Sequence, residues 1–326
     1  MMKFPLVRRS RVALLLALSS LCAYATTVPG VSVLKVTAPN GATSTIVATI
    51  HAPVDGLPQP APSVMDGAAQ YVVEGSTEVG PQPPQPDYMA TLTPEAKAAM
   101  ITQAMAGLRS AGGVPDLPPA PWAKSITPAQ FALFRSRLIC NGVTTEANAT
   151  QYSHLLLAFE TAMPAYAVAT RPCARAGLVS RDDQMARAAK KYGIPLTVLE
   201  SQVDAEAKRK AVPESVYRDS VYWALSDAEP GAVRAVADAI AQGDYDRALA
   251  GSMAGISSAD AKTFQDLMVT SRNKAWVPVL APILQKGRAV IVVGAAHLGG
   301  PQGLIALLRS IGYRVARDAV PADTSM

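Results

Sequence analysis

Apolar residues recur along this chain with two periods, which sort it into strands near both ends and helices in the middle. Val31 to Thr37 is β-branched and apolar, Asn40-Gly41 is a hairpin turn signal, and Ser44 to Ile50 is a second strand-like run ending at His51. Tyr71-Val72-Val73 predicts a short buried strand running into Glu74. Ile194 to Leu199 predicts another that ends at Glu200, and Ala289 to Val293 is apolar throughout, as a fully buried strand would be. Tyr313 to Ala316 reads as a last strand. The helical signals lie between. Val64 to Ala69 is a short helical stretch. Thr93-Pro94 caps a helix to about Arg109, and Thr127-Pro128-Ala129-Gln130 is a capping box that opens one to about Leu138. Thr145 to about Ala162 predicts a helix, and so does Asp182 to Tyr192, stopped by Gly193. Val233, Val236, Ala237 and Ile240 form the apolar face of another. Phe264, Leu267 and Met268 begin a similar face, and Leu304 to Ile311 is helical up to Gly312.

Strand and helix alternate at the two ends, so the expected class is α/β: a mixed sheet with flanking helices and a helical cap inserted over about residues 91–188. Proline-rich stretches at 53–62, 81–86 and 114–121 cannot join a sheet and read as loops. No repeat of solenoid length is present.

Composition narrows the class. The chain has 326 residues, 49% of them hydrophobic, with 26 prolines and 3 cysteines, which excludes disordered, collagen-like and disulfide-scaffold proteins. The formal charge of +5 misleads. The first 25 residues carry Lys3, Arg8, Arg9 and Arg11 and no acid, so the rest of the chain is nearly neutral. A near-neutral body lacks the clustered excess of Lys and Arg that a nucleic-acid footprint needs, and no nucleic acid is expected as a partner.

Those 25 residues also read as a targeting signal. Basic residues precede an apolar run, Val12 to Leu21, which is too short for an ordinary membrane span, and Ala23-Tyr24-Ala25 supplies a cleavage pattern. The expectation is a signal peptide over 1–25, a mature domain over 26–326 in the periplasm or outside the cell, and no later membrane span. Cleavage leaves Cys140 and Cys173, and an oxidising compartment favours pairing them as a disulfide.

The candidate chemistry lies where strands end. His51, Glu74, Glu200 and His297 all follow predicted strands, and open α/β sheets bind ligands outside the carboxyl ends of their strands. Two imidazoles and a carboxylate suit a divalent transition metal with open positions for water and substrate. A metal-free alternative uses one His as general base with a Glu to orient or protonate. His154 reads as an ordinary helix residue.

The local contexts are Ala48-Thr49-Ile50-His51 and Gly294-Ala295-Ala296-His297, an A-x-x-H and a G-x-x-H. With Val72-Val73-Glu74, Leu199-Glu200, Arg272-Asn273-Lys274-Ala275-Trp276 and the stretch from Val290 to Val315, the chain resembles the TraB/GumN family, related to the Tiki proteases and more distantly to erythromycin esterase-like and ChaN-like proteins. The resemblance runs from about Val31 to Arg317 and is weakest between Pro81 and Ala176. It implies a Tiki-like fold and metal-dependent hydrolysis of peptide bonds, with manganese or cobalt the usual metal and zinc an alternative. Matched by motif, His51, Glu74 and His297 are the implied metal ligands. Glu74, Arg272 and Asn273 are the implied catalytic groups, with Arg272 or Asn273 placed to stabilise an oxyanion, and Glu200 is a secondary acidic position. The expected substrate is a peptide or small molecule. Two other readings stand beside this one: a non-catalytic binding protein serving the envelope or an exopolysaccharide, and a metal-independent, esterase-like hydrolase. The sequence departs from the motif pattern twice. Ala48 stands in place of a glycine, and would be strained if that glycine served a positive φ. Pro278 and Pro282 are expected to break the helix that follows Arg272-Asn273.

Overall fold

The computed structural model describes residues 30–75 and 117–324. The leader and the helix expected from Thr93 to Arg109 lie outside the described residues. The described chain forms a six-stranded mixed sheet with flanking helices. The strands are β1 (Gly30–Thr37), β2 (Thr43–Thr49), β3 (Gln70–Val73), β4 (Leu196–Val198), β5 (Ala289–Gly294) and β6 (Arg314–Pro321), in the order β4-β3-β5-β2-β1-β6. The four strands β4, β3, β5 and β2 run parallel, while β1 is antiparallel to both β2 and β6. All six residues of β5 are buried at the centre of the parallel part.

Alternation along the strands divides the core between the two faces of the sheet. Ile46, Ala48, Val72, Ile291 and Val293 point to one face, where they meet Ile240, Trp276, Leu280, Leu284 and Leu298. Val47, Tyr71, Val290 and Val292 point to the other, where they meet Met65 and the Met185, Ala188 and Ala189 stripe of the Arg181–Lys191 helix. A third apolar cluster stands apart from the sheet. It joins Phe134 and Leu138 of the Pro128–Cys140 helix to Leu157, Ala165 and Ala169, and to Val216, Tyr217 and Val221 of the Glu214–Ala224 helix. A buried ion pair, Arg137 to Glu229 at 3.1 Å, ties this cluster to the Glu229–Gln242 helix. Cys140 and Cys173 are joined by a disulfide with their Cα atoms 5.6 Å apart.

The structure differs from the sequence expectation at element ends. Thr127 and Gln130 do form a reciprocal capping box, with bonds of 3.2 and 3.0 Å. The single helix expected from Thr145 to Ala162 is two, Glu146–Ala158 and Met163–Ala169, and Pro164 sits in the first turn of the second, where its missing N–H costs nothing. The last strand is longer than expected because it pairs with the whole of β1 from Gly30 to Thr37. The helix after Arg272-Asn273 is not broken: Ser271–Lys286 runs through both prolines. Pro278 and Pro282 are exposed, four residues apart on the outer face, so the carbonyls they leave without donors face solvent. The inner face is held by buried Trp276, Leu280, Ile283 and Leu284. Packing overrides the local propensity of proline here.

Candidate functional site

Because β2, β3, β4 and β5 are parallel, the residues that follow them emerge from one edge of the sheet. His51, Glu74 and His297 meet there. His51 Nε2 stands 3.2 Å from Glu74 Oε1, and His297 Nε2 stands 3.7 Å from Glu74 Oε2, so the two imidazoles flank one carboxylate. Glu74 is buried, and the Gly294 backbone N–H donates to its Oε1 at 2.5 Å. His51 has a left-handed backbone, φ 57°, which is uncommon for a residue with a side chain. Its side chain is half-exposed, whereas His297 is buried.

Gly294 is the glycine of G-x-x-H, and its role is room. Its φ is negative, but a Cβ at this position would lie 2.7 Å from His51 Nε2 and 3.1 Å from Glu74 Oε1. Ala48 has no such constraint. It lies inside β2 opposite Val293, without a positive φ, and its side chain belongs to the core. The two motifs place their first residues differently, so alanine at 48 is unstrained.

Arg272 ties the acidic groups together, and each of its N–H groups has an acceptor. Nε and Nη2 donate to Glu200 Oε1, Nη2 donates to Glu74 Oε2 at 2.9 Å, and Nη1 donates to Met268 O and to His297 Nε2, both at 3.1 Å. Its guanidinium carbon lies 4.7 Å from the Trp276 ring centroid, and Trp276 also packs on the His297 ring at 4.4 Å. Lys208 Nζ reaches Glu200 Oε2 at 3.4 Å. A π-helical turn, Asp266–Thr270, precedes Arg272 and supplies the Met268 carbonyl, a local irregularity often found at functional sites.

Asn273 is fully buried and spent on structure. Its Oδ1 accepts from His297 Nδ1 at 2.7 Å, and its Nδ2 donates to the carbonyls of His297 and Gln302. It therefore has no free donor for an oxyanion. It fixes the His297 tautomer, leaving the Nε2 lone pair towards Glu74 and Arg272.

Sequence reasoning missed Asp182. This residue opens the Arg181–Lys191 helix, whose N-cap is Ser180, and its Oδ1 accepts from His51 Nδ1 at 3.0 Å. Thr49 Oγ1 donates to its other oxygen. The available signal was a carboxylate in a capped first turn, which reads as ordinary helix-dipole chemistry. Asp182, His51, Glu74, Arg272, Glu200 and Lys208 form a chain in which anionic groups alternate with groups that are, or can become, cationic. His154 stacks edge-on against Phe131 in the separate helical cluster.

The electrostatics of the two histidines are opposed. Burial alone would lower the His51 pKa, but the Glu74 charge and then the hydrogen bond to Asp182 hold it well above its ordinary 6.5. Burial would raise Glu74, but the charges around it, His51 foremost and Arg272 among them, hold it well below the carboxylate range. Burial, with help from the Arg272 charge and against the pull of Glu74, pushes His297 down to about 4. The stability contributed by His51 is full below pH 6.5 and is lost as pH rises through its folded pKa. The unfolded chain protonates His297 near 6.5 while the folded one resists, so its effect costs stability as pH falls from 6.5 towards 4, by about 3 kcal/mol. The expected result is a stability maximum near pH 6.5. Denaturant titrations at pH 4.5, 6.5 and 8.5 check it, and a profile rising or falling steadily across that range contradicts it.

Two ligand atoms bound to one zinc-like ion at tetrahedral angles stand about 3.4 Å apart. The 3.2 and 3.7 Å separations bracket that edge. Each imidazole has its Nδ1 on an acceptor, the outer arrangement that metal-ligating histidines use. The donor types suit a first-row divalent ion, and each histidine–carboxylate edge is of suitable length. Among the described residues, no group of three or more His, Cys, Asp or Glu side chains is arranged as it stands to hold a metal ion. Arg272, which holds the His297 lone pair, would have to release it.

A family model described as the TraB/PrgY/gumN family matches residues 32–317. Comparison with curated proteins and with solved structures gives no match. No helix among the described residues is long and apolar enough to cross a membrane.

Proposed function

The chain belongs to the TraB/PrgY/gumN family, and from that premise we propose that it is an exported hydrolase acting on peptide bonds or related acyl bonds. His51, Glu74 and His297 would hold a divalent transition metal, manganese or cobalt before zinc. The observation that carries this reading is the flanking of one buried carboxylate by two Nε2 atoms whose Nδ1 partners are already engaged. Such an ion supplies Lewis acidity to a carbonyl and to water.

The chain's own residues supply the rest. The Gly294 N–H and Arg272 fix the two oxygens of Glu74. Asn273 orients His297, and Glu200 anchors Arg272. In a metal-free site, where its Nε2 is not spent on a ligand bond, half-exposed His51 is the group placed to take a proton from a substrate or return one. The guanidinium has no free N–H, so what it can offer a developing charge on a carbonyl oxygen is its positive charge on the buried side of the site. Export is supported by the basic–apolar–small leader and by the Cys140–Cys173 disulfide, which suits an oxidising compartment.

One observation favours a second reading, a metal-independent hydrolase with His51 as base: Arg272 already occupies the lone pair of His297. Elemental analysis of protein purified without chelators separates the two. The first reading expects close to one equivalent of manganese, cobalt or zinc. It also expects peptide hydrolysis that a chelator abolishes and added metal restores. Hydrolysis that persists in metal-free protein selects the second reading. Absence of both metal and turnover leaves neither standing.

A further inference from the structure

We propose that Asp182 is the positioning residue for His51, accepting a hydrogen bond from its Nδ1–H so that Nε2 is the nitrogen turned on Glu74; this rests on the reading of the site given above. The two histidines are held in different ways. His297 is buried between Trp276, Arg272 and Asn273, so packing alone limits its ring. The His51 side chain is 51% exposed and sits on a left-handed backbone in the loop after β2. Its ring nitrogens have two partners, Asp182 on Nδ1 and Glu74 on Nε2. The exposed ring is held mainly by these polar contacts, and a flip about its Cβ–Cγ bond would put Cδ2 where Nδ1 stands and Cε1 where Nε2 stands, breaking both contacts.

Asp182 can serve as a strut because it is itself fixed from several directions. Thr49, two residues before His51, donates its hydroxyl to Asp182, and the same Thr49 oxygen accepts the His51 backbone N–H at 3.2 Å. The neighbouring Arg181 is buried and donates from Nη1 to the Ala48 carbonyl at 2.6 Å and from Nη2 to the Pro58 carbonyl. Ser180 caps the helix that carries both residues, its hydroxyl accepting from the Asp183 N–H at 3.1 Å. The end of β2 and the start of the Arg181–Lys191 helix are therefore bolted together on both sides of Asp182. The carboxylate also lies in the first turn of the helix, where the dipole favours a negative charge. A carboxylate held this firmly defines which imidazole nitrogen carries the proton, as outer carboxylates do for metal-ligating histidines.

The test uses Asp182→Ala and the isosteric Asp182→Asn, which keeps the shape of the first turn should the alanine variant fold poorly. Manganese binding by isothermal titration calorimetry should weaken 10–100-fold in Asp182→Ala and by less in Asp182→Asn. In parallel, ring nitrogen shifts of His51 are recorded at a pH where the imidazole is neutral. The parent protein should show a single tautomer protonated at Nδ1, and Asp182→Ala a mixture. If the parent binds no manganese, the metal reading fails and the nitrogen shifts alone decide the role of Asp182: a mixture in the variant supports it. A folded Asp182→Ala protein whose His51 stays wholly protonated at Nδ1 overturns the proposal, as do two folded variants that bind manganese as tightly as the parent.

Discussion

On the proposed hydrolase reading, exchanging Glu74 for glutamine should cut hydrolysis by orders of magnitude while leaving the sheet intact. Glu74 sits between the two imidazoles and accepts from the Gly294 N–H and from Arg272. Glutamine keeps the shape but removes the negative charge, and its amide nitrogen must face at least one of these donors. The proton-sharing contact with His51 is lost, and with it the charge that holds the His51 pKa up. A general acid–base group contributes about 10²–10⁴-fold to rate, so a fall of that size in kcat/KM is expected. Any metal content should fall with it, while circular dichroism stays that of the parent. A Glu74→Gln protein with turnover within threefold of the parent would remove Glu74 from the chemistry and leave it a structural clamp for Arg272.

Much of this site was legible because strand ends are legible. β-Branched runs such as Ala289 to Val293 announce a buried strand, and a parallel sheet brings the residues after its strands to one edge. That logic reached His51, Glu74, Glu200 and His297 across more than two hundred residues. Asp182 stayed hidden because nothing about an acidic first turn separates a dipole-stabilising carboxylate from one that bonds to a distant imidazole. The left-handed backbone at His51 was equally invisible, since histidine carries no signal for positive φ as glycine does. Asn273 was visible as a residue and misjudged in role. Its match to a family pair near the site implied a part in stabilising an oxyanion, but both its amide hydrogens go to the backbone carbonyls of His297 and Gln302. Pro278 and Pro282 misled for the opposite reason: local propensity was read correctly, but the buried face of Trp276, Leu280 and Leu284 outweighs it.

Replacing Arg272 by methionine is expected to lower stability and raise affinity for metal at the same time. The stability loss comes from the acids left behind. Glu74 and Glu200 are both buried, and Arg272 bonds to each of them. Breaking a buried ion pair by removing one partner costs about 3–5 kcal/mol, because the other charge stays uncompensated. Glu74 keeps His51 and the Gly294 N–H, and Glu200 keeps Lys208 at 3.4 Å, so the loss should fall towards the lower part of that range. Adding Glu200→Gln to the methionine variant should return part of it, since one of the two under-compensated charges is then gone. The gain in affinity comes from His297, whose Nε2 lone pair now receives the guanidinium N–H at 3.1 Å. Without Arg272 that lone pair and the second oxygen of Glu74 are open, and a positive charge beside the site has been removed. Manganese should therefore bind more tightly to Arg272→Met than to the parent, and saturating metal should restore stability to the variant by more than it adds to the parent, following RT ln(1 + [L]/Kd). Denaturant titration with and without manganese reads both effects. A variant within 1 kcal/mol of the parent in the absence of metal would mean that the buried acids do not depend on Arg272. Weaker metal binding in the variant would mean that the guanidinium helps to build the site instead of occupying it.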